Sequence, residues 1–289
     1  MNPLKQFAKL LITQLSPKED WLIQARTQKK IFSWTFDDGP DPIHTPFVLD
    51  ALHQVGARAT FFVVGERAAR YPDLIRRIVA EGHELGNHTW THSEPANTST
   101  AAFLDEVDRT QDYLEVLTRI RPRWFRPPKG ELTFGKWRGL VQRKLAIALW
   151  SQDPKDWRMK SADELVAWCN STQPTPGEVI LLHDVHRFGG IAVRLWAREP
   201  WYRDWQSVTL SQLVPRKNAH GQLIQPTASS DSTATTGRQV PFIPVPTDNL
   251  VMQAIPSELP APQPMPIPAK GASQQRQVEE QIAIDMFEF

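Results

Sequence analysis

Ile31-Phe32-Ser33-Trp34-Thr35-Phe36-Asp37-Asp38-Gly39-Pro40 is the stretch that decides the fold. An apolar run from Ile31 to Phe36 leads into two adjacent carboxylates and then a Gly-Pro break. This pattern predicts a buried strand ending in a loop, with the aspartates at its C-terminal tip. Adjacent carboxylates repel each other and are costly to keep dry, so the pair points either to full hydration or to a cation that holds at least one ionised. Outward from this stretch, Ala59 to Val64 predicts a second strand, ended by Gly65. Tyr71 to Glu81 predicts a helix, with Leu74, Ile75, Ile78 and Val79 at helical spacing and Gly82 as its stop. Ala101 to Ile120 repeats the helical pattern, and Leu145 to Leu149 and Val179 to Leu182 predict further buried strands. Strands alternating with helices argue for a parallel sheet in an α/β protein, although periodicity alone does not separate a barrel from an open sheet.

Downstream, Gly86-Asn87-His88-Thr89-Trp90-Thr91-His92 places two histidines four residues apart. That spacing predicts one helical face and two imidazoles able to converge on one ion. Adding an aspartate gives a set of two nitrogens and one carboxylate oxygen, which suits zinc with positions left open for water and substrate.

Together Asp37-Asp38 and His88/His92 resemble the first two motifs of the NodB-type polysaccharide deacetylases, carbohydrate esterase family four. Three more stretches follow in the family's order: Arg126-Pro127-Pro128-Lys129-Gly130, Asp153-Pro154-Lys155-Asp156-Trp157 and Leu181-Leu182-His183-Asp184. Five ordered matches are much harder to obtain by chance than any one of them. The resemblance implies a distorted (β/α) barrel with the motifs on loops at the C-terminal ends of the strands. It implies Asp38, His88 and His92 as ligands of a divalent metal, zinc first, with Co2+, Ni2+ or Mn2+ as substitutes. It implies Asp37 as the base that takes the proton from the attacking water, and Arg126 as the arginine that orients and charges this base. Arg58 is a second candidate for that last role. His183 matches the family's general acid and Asp156 its partner, which would raise the histidine's pKa by stabilising imidazolium.

The adjacency of Asp37 and Asp38 predicts side chains on opposite sides of the strand end, one for the metal and one for the substrate. Around them, Pro128, Lys129, Trp157 and Leu181 are the expected substrate-binding residues. Trp157 is the best candidate for a groove wall among 11 tryptophans. Trp168, Trp196, Trp201 and Trp205 are expected to be structural. Lys129 departs from the family, which usually has tyrosine there and uses that backbone amide to stabilise the oxyanion. A backbone donor survives the side-chain change. Lys129 could instead attract an acidic substrate group or extend into water.

The whole chain of 289 residues, with 33 basic and 32 acidic side chains, shows no charge bias toward nucleic acid or anionic membrane. One cysteine, Cys169, excludes an intrachain disulfide. The sequence predicts three parts. Residues 1–29 form a helical extension with Leu4, Phe7, Leu11 and Leu15 on one face, packed on the domain or, alternatively, touching a membrane surface. Residues 30–215 form the NodB-like domain. Residues 216–289 form a disordered proline-rich tail ending in a short acidic amphipathic segment, Val278, Ile282, Met286 and Phe289, that could meet a protein partner. No apolar run near the start is long enough for a secretory signal or a spanning helix, so a cytoplasmic location is expected. The expected activity is removal of acetyl groups from N-acetylated amino sugars of chitooligosaccharide or peptidoglycan type, with release of acetate. The alternatives are an O-acetyl xylan esterase, an amidase for small amides, or a catalytically silent carbohydrate-binding protein.

Overall fold

The structure, a computed structural model, describes residues 20–216. Its strands are β1 (Trp21–Leu22), β2 (Ile31–Asp37), β3 (Ala59–Val63), β4 (Glu84–Asn87), β5 (Trp124–Phe125), β6 (Ala146–Ala148), β7 (Val179–His183) and β8 (Gln206–Ser207). Its α-helices are α1 (His44–Gln54), α2 (Gly65–Arg70), α3 (Pro72–Ala80), α4 (Thr100–Thr118), α5 (Phe134–Gln142), α6 (Ala162–Ser171), α7 (Phe188–Trp196) and α8 (Leu210–Leu213). The strands run in the order β1-β6-β5-β4-β3-β2-β7, every pair parallel, with β8 added beside the start of β2.

Closure explains the word distorted. Between β6 and β7 a full strand is replaced by the segment after β6. There Ser151 N donates to Val179 O at 2.9 Å and Leu181 N to Gln152 O at 2.9 Å. The Arg126 side chain ties the two sides together as well, donating to the carbonyls of Ala148 and Leu149 and to Thr35 and Asp37 on β2.

Between the sheet and its helices, Phe32, Trp34 and Phe36 of β2 pack with Phe61, Ile180, Leu182, Val48, Leu52 and Trp196. A second cluster around Phe103, Val107, Phe125 and Ile147 seats α4 and α5. Phe62, Trp124, Ala146, Val179 and Leu210 form a third, which places α8 against the sheet.

Two expectations change. The residues assigned to an N-terminal extension enter the sheet at Trp21–Leu22, which pair with Ile147 and Ala148 of β6. Burying Trp21 and Leu22 beside β6 satisfies that strand's edge, so the domain begins earlier than residue 30. His88 to His92 is a loop beyond β4 and not a helix, with Thr89 and His92 at φ values of 66° and 59°. Strands β4 and β5 are too short to show a periodic signal in sequence. The expected helix at 1–19 and the expected tail, including the 278–289 segment, lie outside the described residues. Among the described residues no helix is long and apolar enough to cross a membrane.

Candidate active site

Strand period sets the site. In β2 the even-numbered aromatics face the helices, so Ser33, Thr35 and Asp37 face the other way. Register places Asp37 opposite His183 and Thr35 opposite Leu181 on β7. These four therefore share the inner face of the half-barrel, where Leu181 is buried at 4 % exposure.

Arg126 is fully buried against them. Its Nη1 donates to Asp37 Oδ1 at 2.7 Å and to Thr35 Oγ1 at 2.8 Å, while Nε and Nη2 reach the carbonyls of Ala148 and Leu149 at 3.0 and 2.9 Å. A charge at zero exposure is tolerated because it is both paired and hydrogen-bonded on every side chain nitrogen. Arg58 does not serve that role. It precedes β3, at the other end of the strands, where its Nη1 donates to its neighbour's carbonyl, Ala57 O.

The two aspartates do not part to opposite sides. Asp38 adopts a left-handed φ of 74°, which turns its carboxylate back toward the histidines that Asp37 also faces. Asp38 Oδ1 lies 3.4 Å from His88 Nε2 and 3.3 Å from His92 Nε2, and Asp37 Oδ2 lies 3.8 Å from His88 Nε2. Burial works against the Asp38 charge, yet the neighbouring histidines, His88 first, hold its carboxyl well below the usual range. Burial, then the charge of His88, pushes His92 below the usual histidine value.

Two features of the donor set suit a metal. Asp38 Oδ1 is a buried oxygen with no hydrogen-bond partner. His88 Nδ1 lies 2.7 Å from the carbonyl of Arg126, which fixes the ring as an Nδ1–H donor and leaves its Nε2 lone pair facing Asp38 and His92. One carboxylate oxygen and two ring nitrogens, mutually within 4.8 Å, fit a divalent ion in an open site.

Across β2, His183 Nδ1 meets Asp156 Oδ1 at 2.8 Å, and the other oxygen of Asp156 accepts the His183 backbone N–H at 2.8 Å. Burial is the largest influence on His183 and lowers its pKa. Asp156, with help from Asp37 and Asp38, outweighs it and carries the imidazole up to about 9.

Of the expected substrate contacts, Pro128 is buried and Lys129 is exposed in a short turn, Pro128–Gly130, with Lys129 at φ 58°. Its ammonium, still half exposed, pairs with Glu94. Trp157 stands 59 % exposed beside Asp156, as a groove wall requires. Trp124, in contrast, is wholly buried, and Trp168 stacks on Trp196 at 5.1 Å.

Several residues that shape the site carried little signal in sequence. Asn87 donates to Val107 O and Gln111 Oε1 and accepts from the Thr89 N–H, while Glu106 accepts from the Trp90 and Thr91 backbones. Together they hold the histidine loop in its left-handed bends. Asp184 is buried and accepts from Thr45 Oγ1 at 2.5 Å. Its carboxylate occupies the space that a side chain at Gly39 would need, so only glycine fits there and the two motifs are locked together. Burial, with the charges of Asp38 and Asp41, pushes the Asp184 carboxyl up to about 7 against the Thr45 hydrogen bond.

The comparisons with known proteins agree with this geometry. The polysaccharide deacetylase family profile matches residues 24–145. The chain is 36 % identical over 197 residues to the peptidoglycan-N-acetylmuramic acid deacetylase PdaC of Bacillus subtilis, covering 68 % of this chain and 41 % of that protein. A solved structure of PdaC superposes with a TM-score of 0.59 at 34 % identity, covering 64 % of this chain and 90 % of that one. Similarity is 36 % over 214 residues to a peptidoglycan-N-acetylglucosamine deacetylase of Bacillus cereus, covering 72 % of this chain and 100 % of the relative. It is 38 % over 193 residues to the chitooligosaccharide deacetylase of a Bradyrhizobium species, covering 66 % of this chain and 86 % of the relative. The chain thus spans less than half the length of PdaC and nearly all of the two shorter relatives. With the fold, the ordered motifs and these similarities in hand, the chain belongs to the NodB-type polysaccharide deacetylases of carbohydrate esterase family four.

Proposed function

We propose that this protein is a divalent-metal-dependent deacetylase of N-acetylated amino-sugar glycans, with zinc as the ion. The carrying observation is the arrangement around Asp37, which sits between the buried Arg126 guanidinium, the Asp38/His88/His92 donor set and the His183–Asp156 pair. A base and an acid are thereby held on two adjacent strands, with an open donor set beside the base. Asp38, His88 and His92 would hold the ion, which supplies polarisation of the acetyl carbonyl and acidification of a water.

The remaining work falls to the chain. Asp37, oriented by Arg126, which Thr35 helps to hold in place, takes a proton from water as its oxygen attacks the acetyl carbon. The backbone N–H of Lys129 stabilises the developing oxyanion, the role that the family resemblance assigns to this position. His183, held by Asp156 as imidazolium, gives its proton to the amide nitrogen. The carbon–nitrogen bond breaks, and acetate and a free amine leave. Exposed Trp157 offers an apolar face for a sugar ring. The named relatives act on peptidoglycan amino sugars or on chitooligosaccharides, which supports a glycan of that type as substrate here. Purified protein, stripped with a chelator and reloaded with Zn2+, Co2+, Ni2+ or Mn2+, is assayed for acetate on chitooligosaccharides, peptidoglycan fragments and acetylated xylan. Metal-restored release from the N-acetylated substrates is expected. Release from acetylated xylan alone would replace the reading with an esterase, and no release on any substrate with full metal loading would favour a binding protein.

A further inference from the structure

A second donor cluster lies beside the first. Asp156, His183 and His186 each place one ligand atom within 4.8 Å of the others. Asp156 is essentially buried and the two imidazoles are partly so. His183 Nδ1 is 2.8 Å from Asp156 Oδ1, and His186 Nε2 is 3.7 Å from Asp156 Oδ2. Neighbouring ligands of a tetrahedral zinc, bound at 2.0–2.1 Å, stand about 3.3 Å apart. The two separations, each to a different oxygen of the Asp156 carboxylate, lie on either side of that value. A second, independent observation concerns His186, whose Nδ1 and Nε2 are both buried and both lack a hydrogen-bond partner. A buried polar atom left unmatched is expensive and calls for a missing partner such as an ion.

From this geometry we infer that Asp156, His183 and His186 form a second divalent-metal site whose occupation switches the enzyme off. The inference rests on the role proposed above for His183. When Zn2+ coordinates His183 Nδ1, the proton that this nitrogen shares with Asp156 is released to solvent. No bond to carbon forms or breaks, and no electrons move. Asp156 is redirected to the ion, and His183 keeps a single N–H on Nε2 that is a far weaker acid than imidazolium. The leaving nitrogen is then no longer protonated, and turnover stops. Low zinc fills the Asp38/His88/His92 set and supports catalysis. Higher zinc fills the second set and inhibits. The second ion is the weaker because its binding must displace a proton and an existing hydrogen bond, and because it enters beside a first dication.

Equilibrium dialysis against Zn2+, with bound metal counted per chain and acetate release followed on the same samples, tests the inference. Wild-type protein should show two binding steps, with activity rising through the first and falling through the second. His186→Gln should retain the first step and basal turnover while weakening the second about 100-fold or more, since even an outer partner of a metal ligand is worth 10–100-fold in affinity. His186→Cys, which restores a ligand, should restore the second step, and this keeps the test sound if His186→Gln perturbs folding. One binding step with activity flat at high zinc overturns the second site and leaves the deacetylase reading intact. Two steps unchanged in His186→Gln also overturn it. Two steps without any acetate release on any substrate would sink the function proposal and with it the switch.

Discussion

The two faces of β2 carry opposite kinds of residue. Phe32, Trp34 and Phe36 have no exposure; Phe32 meets Trp196 and Tyr202 edge-on, Trp34 packs tilted against Trp196, and Phe36 stacks on Phe61. Thr35 and Asp37, one residue along, are as deeply buried but meet a guanidinium, a histidine and an open donor set. Burial is the same on both faces, so burial is not what marks the site. The aromatic face gains stability from contacts that any apolar group of the right shape could supply. The polar face holds charges at a cost that only their pairing offsets, and that cost is tolerated where it positions reacting groups. A slip of one residue in β2 would exchange the two faces, and the aromatic cluster is what prevents it.

Changes on the two faces should fail in different ways. The largest effect is expected from the adjacent aspartates. Asp37→Asn should keep its metal and lose about 10²–10⁴-fold in turnover, because an amide cannot accept the water proton. Asp38→Asn should instead lose metal on dialysis, because a charged ligand is gone. Metal content by elemental analysis beside turnover separates them, and loss of metal from Asp37→Asn would merge two roles kept apart here. Since Arg126 stays buried when Asp37 is neutralised, that variant should also be less stable, so its turnover is read on the folded fraction. On the aromatic face, Trp34→Ala should cost about 3–5 kcal/mol in urea unfolding. Protein that remains folded should keep near-normal metal content. If Trp34→Ala loses its metal while folded, the two faces are not separable.

The acid pair gives a smaller, pH-dependent effect. Asp156 and the nearby carboxylates hold His183 at about 9, so its acid form persists through neutral pH and turnover should decline on the alkaline side. A bound dication offsets the share contributed by Asp37 and Asp38, which places the observed decline below 9. In Asp156→Asn only burial remains dominant, and the alkaline limb should move below the ordinary 6.5. The same raised pKa contributes stability that is fully present below pH 6.5 and is lost as pH rises through about 9. Rate profiles and thermal midpoints across that window check both signs, and an alkaline limb unmoved in Asp156→Asn would remove His183 as the acid. The smallest effects belong to two basic residues outside the inner face. Lys129→Ala should leave the unfolding midpoint unchanged and alter KM by no more than a few-fold, because Glu94 already answers the ammonium. Arg58→Ala should leave kcat and KM unchanged, as it lies at the other end of the strands. A large fall in kcat for Arg58→Ala would show that the two ends are coupled.

Some of this was legible before any coordinates. The apolar run before Asp37, and the spacing of Leu74, Ile75 and Ile78, predicted a strand and a helix because long buried elements impose a period on their own sequence. The short strands β1, β4 and β5 impose none, and so the sequence predicts a domain start at residue 30, whereas β1 already pairs with β6 at Trp21–Leu22. The spacing of His88 and His92 predicts convergence across a helical turn, and in the structure a loop with left-handed bends brings both rings to Asp38 instead.

By itself the sequence determined which residue types were available for chemistry, in what order, and which strand carried the first pair. Its five motifs span Thr35 to Asp184 in the order the family requires. Only the tertiary structure decided that Asp37 and Asp38 face the same histidine, that Arg126 rather than Arg58 reaches Asp37, and that Asp184 fills the space beside Gly39. The physical reason is range. Apolar periodicity is a local consequence of burying one face. A convergence of side chains from β2, β7 and the loops after β4, β5 and β6 depends on strand register and on single backbone dihedrals, which no neighbouring residue in the chain records.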